Sequence, residues 1–280
     1  MGVITQPDRP ASRGVVREPA VKVAARALGL PVRQPARLDD REVAAILALR
    51  PEVLVWSAYG NKIPKALLSA VSGRALNVHA SLLPRWRGAA PIAHAILAGD
   101  PETGVTLMEG TAELDAGPIL AQARTKIGDE TRGELEERLA KLGGELLERE
   151  APRYLAGKMV RKPQDLKQVT LAPKLAPRDG ELHLAHPAEE LARRVRAYTP
   201  DPGAYLTFRG QRIGVLRATV AGGRGTDHGR LEVRDGAPHV AAGAGWLRLE
   251  EVKPAGKRAM SGAEWARGLK DMRPDERVPS

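Results

Sequence analysis

The chain has 280 residues, 44 Lys/Arg against 34 Asp/Glu, a formal net charge of +10 and no cysteine. Lack of cysteine excludes disulfides, thiol nucleophiles and cysteine-ligated zinc, and neither a His-Glu-x-x-His pair nor a Walker loop is present, so no metal is expected. The length suits two domains, and the sequence contains no apolar run of transmembrane length and no signal-peptide pattern; a cytoplasmic monomer with no membrane attachment is the expectation.

In chain order, residues 5–22 carry Pro7, Pro10, Gly14 and Pro19 among the cations Arg9, Arg13, Arg17 and Lys22, and read as a basic loop rather than an element. Residues 53–57 are a candidate buried strand and residues 64–71 a helix. Leu76 to His79 follows the turn-like Ser72-Gly73-Arg74 and precedes a proline-broken loop, so it reads as the end of a short strand. Side chains two apart on a strand leave from one face, which places Asn77 and His79 together at the strand's C-terminal edge, where open α/β sheets bind ligands. In the next loop, residues 82–87, Pro84 fixes the backbone and Trp86 is suited to packing. His94, in a helix at 90–97, reads as a packing or surface residue.

An apolar strand at 104–108 leads to Leu114-Asp115-Ala116-Gly117-Pro118, an acid in a glycine-flanked loop, followed by an extended segment at 118–127. Thr131 and Glu134 have capping-box spacing and open a helix whose Leu135, Leu139, Leu142 and Leu146 form a core-facing stripe. Prolines 163, 173 and 177 interrupt a polar stretch, which places a linker at 158–177 between a domain at 1–157 and a second at 178–280. Beyond a helix at 188–198, short strands at 204–208, 212–220, 230–234 and 246–252 are separated by glycine-rich hairpin loops, and Ser261 caps a final helix. This pattern suits a small OB-like β-barrel, a fold that often faces nucleic acid. The positive charge fits a polyanionic partner, although phosphate contacts give affinity rather than sequence choice.

Asn77, His79 and Asp115 form a plausible acyl-transfer site. When a neutral amine attacks a carbonyl or formyl carbon, negative charge develops on oxygen, and donors already aimed at it stabilise the adduct. Asn77 donates from its amide. A protonated His79 donates more strongly, with Asp115 as the carboxylate that favours the charged ring. Asp115 is also placed to accept the proton that the amine sheds, directly or through a water.

The run Asn77-Val78-His79-Ala80-Ser81-Leu82-Leu83-Pro84-Arg85-Trp86-Arg87-Gly88-Ala89-Ala90-Pro91-Ile92, with Gly99 to Met108 and Leu114 to Leu120, resembles the methionyl-tRNA formyltransferase family. The resemblance extends to Thr5-Gln6-Pro7-Asp8-Arg9-Pro10, Ala58-Tyr59-Gly60 and residues 253–261, so it spans nearly the whole chain. It implies an α/β fold, a Rossmann-like formyltransferase domain followed by the smaller OB-like one. The implied donor is 10-formyltetrahydrofolate and the implied acceptor is the α-amino group of methionine on initiator tRNA. Asn77, His79 and Asp115 stand where that family keeps its catalytic trio; Ser81, Leu82, Leu83 and Pro84 fall in the folate-binding loop. Arg13 matches an arginine that contributes to recognising initiator tRNA, with Arg9 and Arg17 beside it. The family begins with a strand, a Gly-Thr-Pro loop and a helix ahead of the Thr-Gln-Pro-Asp block, whereas Met1 falls inside what should be the second strand; a sheet shortened at its N-terminus is expected. A formyltransferase acting on an amino-sugar nucleotide or a purine precursor, and a catalytically silent tRNA-binding relative, stay open as alternatives.

Overall fold

A computed structural model describes residues 1–10, 16–223, 227–269 and 276–279. The N-terminal part begins with β1 (Val3–Ile4), then β2 (Arg9–Pro10) paired antiparallel with β3 (Val16–Arg17), helix α1 (Ala20–Ala27) and β4 (Val32–Arg33), which lies parallel to β1. Helix α2 (Asp40–Leu47) starts at Asp39, whose side chain accepts from the Glu42 N–H at 3.0 Å. That cap satisfies one of the amides a helix start leaves without a partner. Strand β5 (Leu54–Trp56), helix α3 (Lys65–Ala70) and β6 (Ala75–His79) follow.

Residues 5–22, expected to be a loop, contain the β2–β3 pair and the start of α1 instead. Lys22 is the reason the local reading failed: its ammonium is buried in ion pairs with Asp8 and Glu18, which hold its pKa above the ordinary lysine range, so the charge draws the segment together.

After β6 come β7 (Arg87–Gly88) and α4 (Pro91–Ala98), then the long strands β8 (Glu102–Glu109) and β9 (Ile119–Lys126). Strands β5 and β6 are parallel, β6 and β8 antiparallel, and β8 and β9 antiparallel, giving the sheet order β5-β6-β8-β9. Among the described residues no ladder joins this sheet to β1–β4. Residues 103–108 of β8 are all buried because both faces are covered. Helix α5 (Arg132–Leu155) covers one face: the Thr131 N–H donates to Glu134 at 2.8 Å, and Leu135, Leu139 and Leu146 turn inward. Gly143 lets this helix approach closely; a Cβ there would stand 2.9 Å from Val78 Cγ1.

The expected linker at 158–177 is not a free connection. Lys162 and Ile119 exchange backbone hydrogen bonds, and β10 (Leu171–Ala172) pairs parallel with β7. Its prolines interrupt local regularity, as read from the sequence, but its backbone groups find partners on the preceding loops.

The C-terminal part consists of α6 (Ala188–Tyr198), β11 (Ala204–Phe208), β12 (Gln211–Ala221), β13 (Leu231–Arg234), β14 (Ala237–Ala241), β15 (Trp246–Pro254), β16 (Met260–Ser261) and α7 (Gly262–Arg267). The antiparallel order is β11-β12-β15-β14-β13, with β16 on β15. No ladder among the described residues joins the two ends of that path. Strand β14 escaped the sequence reading because Pro238 demotes such a run. In the fold, Pro238 lies outside the β14–β15 ladder, which covers only His239 to Ala241.

One hydrophobic core runs through most of the molecule, joining Leu107, Leu135 and Leu139 to Leu191, Val195, Leu247 and Leu249. A separate, smaller cluster of Val43, Ile46 and Leu67, with Ile4 and Leu54 packed on it, holds the N-terminal part.

Candidate active site

Strand β6 enters the sheet with apolar Ala75 and Leu76, and its alternate side chains then bring Asn77 and His79 to one face. Asp115 arrives from the loop between β8 and β9. Its φ of +50° is the left-handed conformation, which asparagine and aspartate tolerate better than most residues. Gly117 is required two residues on: a Cβ there would lie 1.8 Å from the Glu109 carbonyl oxygen.

These groups converge. Asn77 Nδ2 donates to Asp115 Oδ1 at 3.2 Å, the Gly88 N–H donates to Asp115 Oδ2 at 2.9 Å, and His79 Nδ1 lies 3.7 Å from Asp115 Oδ2. All three side chains are buried, at 6%, 7% and 8% exposure. On the other side of the imidazole, Nε2 is 2.9 Å from the Trp86 carbonyl oxygen. A carbonyl only accepts, so this contact places a proton on Nε2. A ring protonated on both nitrogens then faces an oxygen from each. Asn77 keeps a second amide hydrogen beyond the one given to Asp115, and the Asp115 carboxylate keeps lone pairs beyond those used.

The neighbouring loop is fixed from beneath by Thr106 of β8, which is fully buried. Its hydroxyl donates to the Ser81 carbonyl at 2.6 Å and accepts from the Leu83 N–H at 3.1 Å and from Gln122 Nε2 at 2.9 Å. Ser81 has 0% exposure, and its hydroxyl donates to the Arg85 carbonyl at 2.6 Å, so this side chain holds the loop's shape. Leu83 is buried too, whereas Leu82 and Pro84 remain partly exposed. Trp86 packs on His94 with ring centroids 5.6 Å apart, and its indole N–H donates to Asp100 at 2.8 Å. His94 Nε2 is 3.0 Å from the Pro173 carbonyl oxygen, in keeping with a packing role.

The cations singled out for tRNA sit apart from this cluster in the chain. Arg9 is exposed on β2; Arg17 belongs to β3; Arg13 lies outside the described residues. Among the described residues no group of three or more His, Cys, Asp or Glu is arranged to hold a metal ion, and no helix is long and apolar enough to cross a membrane.

Gln164, from the segment expected to be a linker, was missed by the sequence reading. Its side chain donates to the carbonyls of Asp115 and Gly117, each at 2.8 Å, and accepts from Arg87 Nε at 3.0 Å. A glutamine in a proline-interrupted polar stretch carries no local signal of such a position; only the return of the chain across the site reveals it.

The family model described as formyl transferase matches residues 1–150, and the one described as formyl transferase, C-terminal domain, matches residues 174–270. The methionyl-tRNA formyltransferase of Halorhodospira halophila is 46% identical over 272 residues, which covers 96% of this chain and 88% of that protein. That of Myxococcus xanthus is 44% identical over 273 residues, with 96% and 88% covered. The chain belongs to the methionyl-tRNA formyltransferase family. Among solved structures, HypX from Aquifex aeolicus in complex with tetrahydrofolic acid shares the fold with a TM-score of 0.69 at 18% identity; the match covers 98% of this chain and 48% of HypX. WlaRD, a sugar 3N-formyl transferase, matches with a TM-score of 0.66 at 14% identity, covering 91% of this chain and 88% of its own. The Rossmann-like formyltransferase domain with a second, C-terminal domain is thus the architecture of this chain.

Proposed function

We propose that this chain transfers a formyl group from 10-formyltetrahydrofolate to the α-amino group of methionine on initiator tRNA. The single observation that carries the mechanism is the convergence of Asn77, His79 and Asp115 in one buried cluster. The donor supplies the formyl carbon, whose bond to the folate nitrogen breaks once the amine nitrogen has bonded to it. A free α-amino group titrates at about pH 8, so a useful fraction is already a neutral nucleophile near pH 7. Positioning and stabilisation of the developing oxyanion therefore matter more than base strength.

The second amide hydrogen of Asn77 serves that oxygen. The Nε2 proton of His79 serves it as well when the substrate oxygen replaces the Trp86 carbonyl as acceptor. Asp115 orients Asn77, faces the imidazole and accepts the proton released by the amine. A proton passes in turn, directly or through water, to the folate nitrogen as the adduct collapses, so that this nitrogen leaves as an N–H amine. The partly exposed Leu82 and Pro84 offer an apolar surface to the folate ring, in a loop whose backbone Ser81, Leu83 and Thr106 hold in place. Arg9, Arg13 and Arg17 supply charge toward the acceptor end of tRNA, and the net charge of +10 suits such a partner. In this reading residues 1–157 form the catalytic domain and residues 178–280 face the tRNA.

The substrate test sets methionyl initiator tRNA against an amino-sugar nucleotide, with 10-formyltetrahydrofolate as donor to the purified chain. Formylation of the tRNA alone is expected. Formylation of the sugar nucleotide alone, or tight tRNA binding without turnover, would overturn the proposal.

A further inference from the structure

The reach of Gln164 into the acidic loop has a mechanistic consequence. Its side chain is buried at 9% exposure, and one amide group engages both carbonyls that flank Ala116 while its oxygen holds Arg87. Both Nε2 hydrogens and the oxygen are therefore used, each toward a different point of the site's framework. The two carbonyls belong to Asp115, whose backbone is left-handed, and to Gly117, where no side chain fits. Arg87 belongs to β7, where the adjacent Gly88 N–H holds Asp115 Oδ2. Gln164 thus ties the acidic loop and the β7 loop together from behind the carboxylate.

We propose that Gln164 is a positioning residue for Asp115, and that the segment joining the two domains is a working part of the active site. This rests on the formyl-transfer reading given above. Without the amide, the Asp115 and Gly117 carbonyls lose their shared donor and the loop can relax from its left-handed conformation. Asp115 then loses its register against Asn77 and His79, although the carboxylate itself remains. A small misplacement of a reacting group lowers the rate far more than it lowers binding.

The test compares initial rates of formyl transfer from 10-formyltetrahydrofolate to methionyl initiator tRNA for the full chain, Gln164→Met, Gln164→Glu, Asp115→Asn and the double variant Gln164→Met/Asp115→Asn. Methionine keeps the length of the side chain without the donors; glutamate keeps the acceptor for Arg87 and removes both donors. The expected result is a fall in kcat of about tenfold to a hundredfold for both Gln164 variants, with little change in KM. The double variant should be no slower than Asp115→Asn, because a positioning residue has nothing left to position. Parent-like kcat in both Gln164 variants, or a further tenfold loss in the double variant, would overturn the proposal. The imidazole ¹⁵N resonances of His79 give a readout independent of turnover: they should move in Gln164→Met, and unchanged resonances would count against the proposal even in an inactive chain. Failure of the parent chain to formylate would instead defeat the formyl-transfer reading itself, and full activity in Asp115→Asn would remove the role given to Asp115 and the Gln164 proposal with it.

Discussion

Between β1 and α3, Val43, Ile46 and Leu67 form a small cluster with Ile4, Leu54 and Ile63 packed on it, while residues of β6, β8, α5, α6 and the C-terminal strands share one core that crosses from the formyltransferase sheet into the C-terminal sheet. The first part has short strands in separate ladders and leaves Val55 of β5 exposed; the second buries six consecutive residues of β8. Asn77 and His79 stand where the two meet, on the strand that pairs with β5 on one side and β8 on the other. The difference teaches that the candidate site takes its rigidity from the larger core, through β8, Thr106 and the segment carrying Gln164. Arg9 and Arg17, proposed to meet tRNA, lie on the short β2–β3 ladder of the first part.

Truncations in the two cores break this comparison most directly. Leu107→Ala removes a fully buried side chain from the larger core, and Leu67→Ala one from the smaller. Such changes cost roughly 2–5 kcal/mol, and the loss is greater where the surroundings cannot collapse. Urea unfolding should place Leu107→Ala near the upper end of that range and Leu67→Ala near the lower. Equal losses would mean that the cores are equally rigid.

The helix caps give a smaller effect. Thr131→Ala at α5 and Asp39→Ala at α2 each remove a side-chain acceptor, at a cost of about 1 kcal/mol. Because α5 is anchored by its leucines, the loss at Thr131 should register in full in the global transition. Loss at Asp39 should instead raise hydrogen exchange locally in α2 before the whole molecule unfolds. A global loss from Asp39→Ala matching that of Thr131→Ala would show that the N-terminal part unfolds with the rest.

The smallest effect concerns pH. The backbone N–H of Thr131, then its hydroxyl and Arg217, hold the Glu134 carboxyl below its usual range. A carboxyl whose folded pKa is depressed contributes stability above the ordinary carboxylate range, and that contribution disappears as pH falls through the depressed value. Glu134→Gln should therefore flatten the acid side of the stability curve while leaving its neutral-to-basic side parallel to the parent. An unchanged acid limb would remove Glu134 from the account.

Much of the fold could be read from local pattern. The Thr131–Glu134 capping box, the leucine stripe behind it and the alternation of residues 204–208 are short-range signals, and the elements appear there. The shared strand face of Asn77 and His79 follows from the two-residue period, and Asp115 joined them as an acid in a glycine-flanked loop at a neighbouring strand end, a placement that the family resemblance then supported. The missed features depend on distant partners. Lys22 is drawn inward by Asp8, 14 residues away; β14 tolerates Pro238 because β15 does not pair there; Gln164 matters because the chain doubles back over Asp115. Each is fixed by where another segment lies, which no local periodicity encodes.

The central claim is that Asn77 and Asp115 act as one unit in transferring the formyl group. A double-mutant cycle on kcat, using Asn77→Ala, Asp115→Asn and the pair in variants shown to be folded, tests it most directly. Each single change is expected to lower kcat by about 10²–10³-fold, as loss of an oxyanion donor or of a general base does, with the pair no slower than the slower single variant. Losses that multiply independently, or a parent-like rate in either single variant, would contradict the account.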